Sequence, residues 1–458
     1  MRIHFRDGWP FRHPHVYVQG LGAEHVNDAG LVCLWPEDDN SREWLTFGGI
    51  VSRIAQWCTS AQEGFRSRDR ALDAYLGFEE VSTTLAVFDP TKLLAGDLRD
   101  GASGRIHGVH AKSAVLEVGP GHGPKNSVRG RWFSRSEFGS PPRNLEQIRA
   151  FLTTAQRRDL DACIRRVRRS TSDGAGLAMI LAGRHGQVDA LVIGLNRDAG
   201  GQLRVESLNP APNDLQTLRL RAGPDAQELS PKKVVCFGLG AIGSHAALLL
   251  AESGLGHVSL VDSDRLRPGN VVRHVLGADH VGELKSEAVS ARIGQHAPWT
   301  QVSCSFATFD YVAILDLVGG ADLVLDTTGN APLLEVLSRA AQQAGVCLVS
   351  AALYRGGAIT RICRQLPSDT PIFNRSPPAY WEIPARAADP DESLEMGCSA
   401  AVNNAPPVSV QTAASLSVNI AVDAMLARHE FEEETLEVLR PLRGEPPFDR
   451  VGLVAPPG

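Results

Sequence analysis

Long apolar runs, paired cysteines and a basic surplus are all missing from this 458-residue chain, and each absence removes a class of function. No apolar stretch approaches the ~20 residues of a membrane-spanning helix. The opening MRIHFRDGWPFRHPHV carries no hydrophobic segment of a secretory leader. A cytoplasmic protein with no membrane partner is therefore expected. The eight cysteines (33, 58, 163, 236, 304, 347, 363 and 398) never form a C-x-x-C pair, which argues against both a disulfide framework and a zinc ribbon. Histidines 4, 13, 15 and 25 show no H-E-x-x-H or comparable ligand spacing, so no metal is expected there. A formal charge of −6 speaks against a dedicated nucleic-acid binder. Internal repeats and low-complexity blocks are absent as well.

What is present is an ordinary globular composition, 43% hydrophobic and 21% charged, in a chain long enough for two to four domains. Residues 232–285 are the most informative stretch. Val234 to Phe237 reads as a buried strand, Gly238-Leu239-Gly240-Ala241-Ile242-Gly243 as a G-x-G-x-x-G turn, and Ala246 to Glu252 as helix. A second apolar run, Val258 to Val261, ends in Asp262. Strand, glycine turn, helix, strand and acid follow in the order of a nucleotide-binding βαβ unit, with Asp262 placed for ribose hydroxyls. Glycines let backbone N–H groups approach phosphate, and the helix N-terminus favours negative charge. Asp264, Asn270, Arg273 and Lys285 come next. A dehydrogenase has little use for such a cluster, whereas triphosphate chemistry accumulates charge on phosphates and departing pyrophosphate. Further on, strand Leu323 to Thr327 runs into Asp326-Thr327-Thr328-Gly329-Asn330 at the sheet edge where ligands bind. Helix 331–344, strand 346–352 and an antiparallel excursion from Gly357 to Arg364 are expected after it.

From Lys232 to about Ala427 the chain resembles the ThiF/MoeB/HesA-type adenylyltransferases, the catalytic fold of ubiquitin-activating enzymes, through its D-x-D, N-x-x-R and downstream lysine. The resemblance implies a Rossmann-like domain with a mainly parallel sheet that binds ATP and Mg²⁺ and forms a homodimer. Gly238, Gly240 and Gly243 would form the nucleotide turn, Asp262 would hold ribose, and Asn270, Arg273 and Lys285 the phosphates. Gly329 stands where the family has its magnesium-binding aspartate, so Asp326 or Asp264 is expected to take the metal. Family members that go beyond adenylation carry a cysteine on a later loop. Here that residue is Cys398, after the irregular segment Pro367 to Met396 and before a helix starting near Val410. A thiolate near a helix N-terminus is the better nucleophile. Cys236, Cys304, Cys347 and Cys363 sit in apolar strand patterns and read as packing residues.

Cys33 follows an apolar pair and precedes an acidic turn, with Asn27 nearby. An amide beside a thioester can donate to the oxyanion; equally, a free cysteine is often simply buried. Trp9-Pro10-Phe11 to Val16, His25-Val26-Asn27, Gly30 to Leu34, and Trp44 with Thr46 resemble the centre of a ubiquitin-conjugating enzyme. That implies Cys33 as a thioester cysteine and Asn27 as its oxyanion donor. Val26 replaces the family's proline, and only eight residues precede Trp9, so an N-terminally reduced α+β domain is expected. A helix with Ile50, Ile54 and Trp57 on one face follows.

Between these ends the chain is less legible. Arg66 to Asp73 reads as a solvated mixed-charge helix. Thr83 to Phe88, Arg105 to His110 and Ala114 to Val118 read as short strands. Gly119 to Lys125 lacks phosphate-loop spacing and reads as a surface loop. One helix is expected from Asn144 to about Arg169. Its arginines 157, 158, 165, 166, 168 and 169 suit an acidic partner or, with Asp159 and Asp161 interleaved, a solvated face. Leu177 to Leu181, Val188 to Leu195 and Leu203 to Leu208 read as strands, with linkers at Asn209 to Asp214 and Arg221 to Pro231.

The expected organisation is a conjugating-like domain over 1–75, a small α/β middle domain over 76–225 and an adenylation domain over 226–458. Together the two resemblances imply a bacterial activating and conjugating fusion of the kind found in CBASS-type antiphage operons. ATP adenylates the C-terminal carboxylate of a ubiquitin-like protein, Cys398 takes it as a thioester, and Cys33 passes it to a target amine. The alternatives are an adenylyltransferase for a sulfur-carrier protein, an NAD-dependent oxidoreductase, and a non-catalytic scaffold that keeps ATP binding.

Overall fold

The computed structural model describes the chain except residues 22–24, 27–28, 36–38, 64–77, 95–98, 137–141, 171–173, 185–186, 306–309, 376–392, 395–400, 403–404 and 455–458, and it leaves the side chains of 184, 187, 393–394 and 401–402 undescribed. The chain forms two compact units, Met1–Thr217 and Leu218–Gly458.

The first unit opens with a small antiparallel sheet of β1 (Arg2–His4), β2 (His15–Tyr17) and β3 (Leu31–Val32). Helix α1 (Phe47–Glu63) follows, as its spacing predicts. Val16, Val26, Val32, Leu34, Trp35, Trp44 and Ile50 form one core here, with Ile54 and Trp57 packed against it. The expected helix at Arg66 to Asp73 lies outside the described residues.

Next come β4 (Val81–Phe88), α2 (Pro90–Leu94), β5 (Ser103–Lys112), β6 (Val115–Pro120) and β7 (Val128–Arg135), then α3 (Leu145–Phe151) and α4 (Thr154–Arg169). Strands β8 (Gly176–Arg184), β9 (Gln187–Arg197) and β10 (Leu203–Pro212) complete the set. The seven strands close into a barrel in the order β10-β4-β6-β5-β7-β8-β9. Two local expectations change. The single helix breaks at Leu152, because Thr153 and Gln156 form a capping box that starts α4 afresh. The linker expected from Asn209 is instead the end of β10, paired in parallel with β4 through Asn209↔Leu85 to Pro212↔Phe88. The arginines of α4 are exposed, in keeping with a solvated face, while Asp159 pairs with Arg131 and Asp161 with Arg149.

Short helices α5 (Leu215–Arg219) and α6 (Ala226–Leu229) lead into the second unit. There β11 (Lys233–Phe237), α7 (Ala241–Glu252), β12 (His257–Val261), α8 (Lys285–His296) and β13 (Gln301–Ser305) make the first half. Then α9 (Tyr311–Gly319), β14 (Leu323–Asp326), α10 (Ala331–Ala344), β15 (Cys347–Tyr354) and β16 (Ile359–Gln365) follow. A small antiparallel pair, β17 (Ser393–Leu394) with β18 (Ala401–Val402), precedes α11 (Pro407–Met425), β19 (Glu434–Val438) and β20 (Gly452–Val454). The main sheet runs β13-β12-β11-β14-β15-β16-β19-β20, with its first five strands parallel and the last three antiparallel. Strand order therefore reverses between β11 and β14, which opens a crevice at their carboxyl ends. Helices cover both faces. Ala246, Leu250, Val289 and Val418 belong to one core, and Val318, Leu337 and Ala341 to the other. Among the described residues no helix is long and apolar enough to cross a membrane.

Candidate active site

The glycine turn sits in that crevice. Gly238 has φ +82, and a Cβ there would come within 3.0 Å of the Thr328 backbone, so only glycine fits. A Cβ on Gly243 would overlap the Gly238 carbonyl oxygen and the Thr327 hydroxyl. Gly240 differs from both. It is the N-cap of α7, no side chain caps that helix end, and a Cβ there would meet nothing within 4 Å. The turn thus leaves open space over uncapped N–H groups, a cradle that fits phosphate.

Asp262 ends β12 beside the turn. One carboxylate oxygen accepts the Leu239 N–H at 2.6 Å and the other the Asp264 N–H at 2.8 Å. Its spare lone pairs remain suited to ribose hydroxyls. Lys285 opens α8, only 7% exposed, and its Nζ lies 2.9 Å from Asp264, whose side chain is 72% exposed. Its backbone N–H also donates to the Asp264 carbonyl at 2.9 Å. The loop is closed on itself, with Lys285 held ready for an anion by an acid that can turn out to solvent. Arg273 is half-buried at the end of the 3-10 turn Pro268–Arg273, and Asn270 Oδ1 accepts the Arg267 N–H at 3.1 Å within the same turn. Asp262, Asp264, Asn270, Arg273 and Lys285 therefore all lie on one closed loop that follows β12.

Asp326, expected above to take the metal, is held by hydroxyl and backbone donors. It is 2% exposed; one oxygen accepts both the Thr328 N–H and hydroxyl, and the other the Ser350 hydroxyl. Burial pushes its pKa up, against those hydrogen bonds. Both oxygens of the carboxylate hold the end of β14. Asn330 is likewise committed, capping α10 through the Leu333 N–H at 3.1 Å. Among the described residues no group of three or more His, Cys, Asp or Glu side chains can hold a metal.

Thr327, at the sheet edge named above, and three polar residues with no role assigned there also shape the site. Thr327 donates to the Gly238 carbonyl at 2.7 Å, tying the two strands together across the crevice. Ser244 accepts the Val275 N–H at 3.3 Å, and His245 bonds to the Arg273 backbone. His274 donates from Nε2 to the Leu239 carbonyl at 2.8 Å and accepts the Leu276 N–H on Nδ1 at 3.2 Å. The available signal was a lone polar pair, Arg273-His274, inside the apolar run Val271 to Leu276.

Burial pulls the His274 pKa from 6.5 down to about 4, helped by the nearby charges of Lys285 and His245 and opposed by the Leu239 bond and Asp262. The folded imidazole refuses a proton that the unfolded chain accepts near pH 6.5. Its contribution is complete above that pH and is lost as pH falls toward 4. Between about pH 8 and pH 5 the wild-type protein is expected to lose about 2 kcal/mol more than His274→Gln. Urea melts at both pH values check this, and equal losses in the two proteins count against it.

The thiols fall into two groups. Burial raises the Cys236 pKa to about 12 and the Cys363 pKa to about 11, and it raises those of Cys304 and Cys347 too. All four are poor nucleophiles, as packing residues are. Cys33, in contrast, is exposed directly after β3, its N–H donating to the His25 carbonyl at 2.8 Å. Asn27 and Cys398 lie outside the described residues.

The ThiF family pattern matches residues 214–443. The SAMP-activating enzyme E1 of Haloferax volcanii is 30% identical over 158 residues, 34% of this chain and 58% of that protein. A molybdopterin-synthase adenylyltransferase of Salmonella typhimurium is 35% identical over 133 residues, 28% of this chain and 52% of its own length. The ATP-dependent ubiquitin transferase-like protein Cap2 of Vibrio cholerae is 31% identical over 136 residues, 29% of this chain and 23% of Cap2. This chain thus spans 23% to 58% of the length of these relatives. With half of its length in the family pattern and the nucleotide crevice inside that half, the chain belongs to the ThiF family.

Proposed function

We propose that the chain activates the C-terminal carboxylate of a small ubiquitin-like protein by adenylation with ATP. The observation that carries this is the open Gly240 cradle over the uncapped end of α7, with Arg273 and Lys285 on the adjoining loop. The carrier carboxylate attacks the α-phosphorus, pyrophosphate leaves, and an acyl-adenylate forms. N–H groups of the turn and the α7 dipole hold phosphate oxygens. Lys285 exchanges Asp264 for phosphate, Arg273 offsets charge on the departing pyrophosphate, and Asp262 orients the ribose.

The onward path is part of the same proposal. The Cys398 thiolate attacks the acyl-adenylate and AMP leaves. The Cys33 thiolate then displaces Cys398, and a target amine finally displaces Cys33 to give an amide. Exposure of Cys33 supports its part. Likeness to Cap2, a ubiquitin transferase-like protein by name, supports onward transfer; an antiphage setting, a cytoplasmic location and a homodimer as the active form belong to the same proposal. The likeness to molybdopterin-synthase adenylyltransferases favours a second reading, a sulfur-carrier protein as substrate with no relay through Cys33.

Titration calorimetry of the whole chain with ATP and with NAD⁺ tests the first step: ATP is expected to bind and NAD⁺ not, and the reverse order sinks the reading. Intact mass of the protein isolated from its native host with thiols blocked tests the second. A dithiothreitol-labile adduct that disappears in Cys398→Ala and that peptide mapping of the wild type finds on Cys33 supports the relay, and the lack of any adduct on Cys33 favours the sulfur-carrier reading.

A further inference from the structure

The Leu239 peptide lies at the centre of the glycine turn and is gripped from both sides. Its N–H goes to Asp262 and its carbonyl to His274 Nε2. Since the Leu276 N–H donates to Nδ1, the ring proton sits on Nε2 and the imidazole is neutral. An imidazolium has no acceptor for Leu276. The same segment is fastened twice more to the first turn of α7, Val275 to Ser244 and the Arg273 backbone to His245. The side-chain bonds of His274 and Ser244 thus tie residues 274–276 to the turn and to the helix that the turn starts.

We infer that His274 is a positioning residue that locks the Arg273 segment to the phosphate turn, so that the guanidinium and the turn's N–H groups meet a triphosphate as one pre-set unit. A buried histidine needs partners for both ring nitrogens wherever it sits. This one spends both nitrogens on peptide groups, one of them inside the nucleotide cradle. Holding both elements in their bound arrangement lowers the ordering cost of binding. The inference rests on the nucleotide reading above and adds to it the residue that sets the geometry.

Two variants of the whole chain divide the roles. His274→Gln keeps a donor near the Nε2 position, and His274→Asn keeps only an acceptor near Nδ1. ATP affinity is expected to stay within about threefold for His274→Gln and to fall about tenfold for His274→Asn, the scale of one lost buried hydrogen bond. ¹⁵N spectra of histidine-labelled protein are expected to show one imidazole held as the Nε2–H form from pH 7 down to about 5. Equal ATP affinity in all three proteins overturns the inference, as does the lack of any such non-titrating imidazole. Should His274→Asn fail to fold, Ser244→Ala removes the Val275 anchor, together with a 3.4 Å bond to the Ala241 carbonyl within α7, and is expected to weaken ATP binding by about threefold; an unchanged affinity counts against the clamp. Wild type that binds no ATP sinks the nucleotide reading, while the imidazole signal still decides whether the clamp exists.

Discussion

Gly243→Ala is expected to destabilise the Leu218–Gly458 unit by about 3 kcal/mol, at the upper end of what overpacking costs. The added methyl overlaps the Gly238 carbonyl and the Thr327 hydroxyl. Neither can step aside cheaply. Gly238 holds φ +82 against Thr328, and its N–H donates to the Val261 carbonyl at 2.9 Å. Thr327 is pinned through its own N–H to the Phe237 carbonyl, also at 2.9 Å. The helix must therefore move away from the sheet, which strips contacts from Ala246 and Leu250 in the core below. Calorimetry of the whole chain checks this. A fall in Tm of roughly 6–12 °C is expected for the transition of this unit, and an unchanged Tm means that α7 packs loosely on the sheet.

Gly240→Ala, three positions earlier, is expected to do the opposite. The methyl enters empty space, so Tm stays within about 2 °C of wild type, as for a change with no packing consequence. That space is the phosphate cradle. Filling it keeps oxygens from the N–H groups of the turn and costs ATP affinity at least about 30-fold, the equivalent of the ~2 kcal/mol of one charge-assisted hydrogen bond. Titration calorimetry with ATP reads this directly. A variant that binds ATP like wild type places the nucleotide elsewhere in the crevice. The pair of substitutions separates a glycine kept for packing from one kept for a ligand, within a single motif.

The βαβ core of the second unit was legible because its signals are local. Apolar runs of strand length, a glycine turn and the acid after β12 fix the order of elements, and strand reversal at β11 then follows from topology. The barrel was not legible. Its strands could be read one at a time, but closure depends on the parallel seam between β10 and β4, which leaves no mark in any short window. The split between α3 and α4 was written in Thr153-x-x-Gln156 and was overlooked because the surrounding pattern stays helical. In the site, residue types showed that acids and bases converge, not which way each is committed. Asp326 and Asp262 both end buried strands. Only the hydroxyls of Thr328 and Ser350 make the first an anchor, while backbone donors alone leave the second with room for a ligand.

The seam of the barrel has a consequence for how the protein is made. Val81 pairs with Ser207 and Phe88 with Pro212, so the first strand of the barrel meets its last. On the ribosome β4 therefore waits, one edge unpaired, until nearly the whole domain has been synthesised. Pairings this distant in sequence make folding slow, and a strand edge left open is a template for association with other chains. A chain cut short before β10 keeps two open edges instead of none. Yield of the barrel in the cell thus depends on finishing translation through Pro212 before neighbouring nascent chains find those edges.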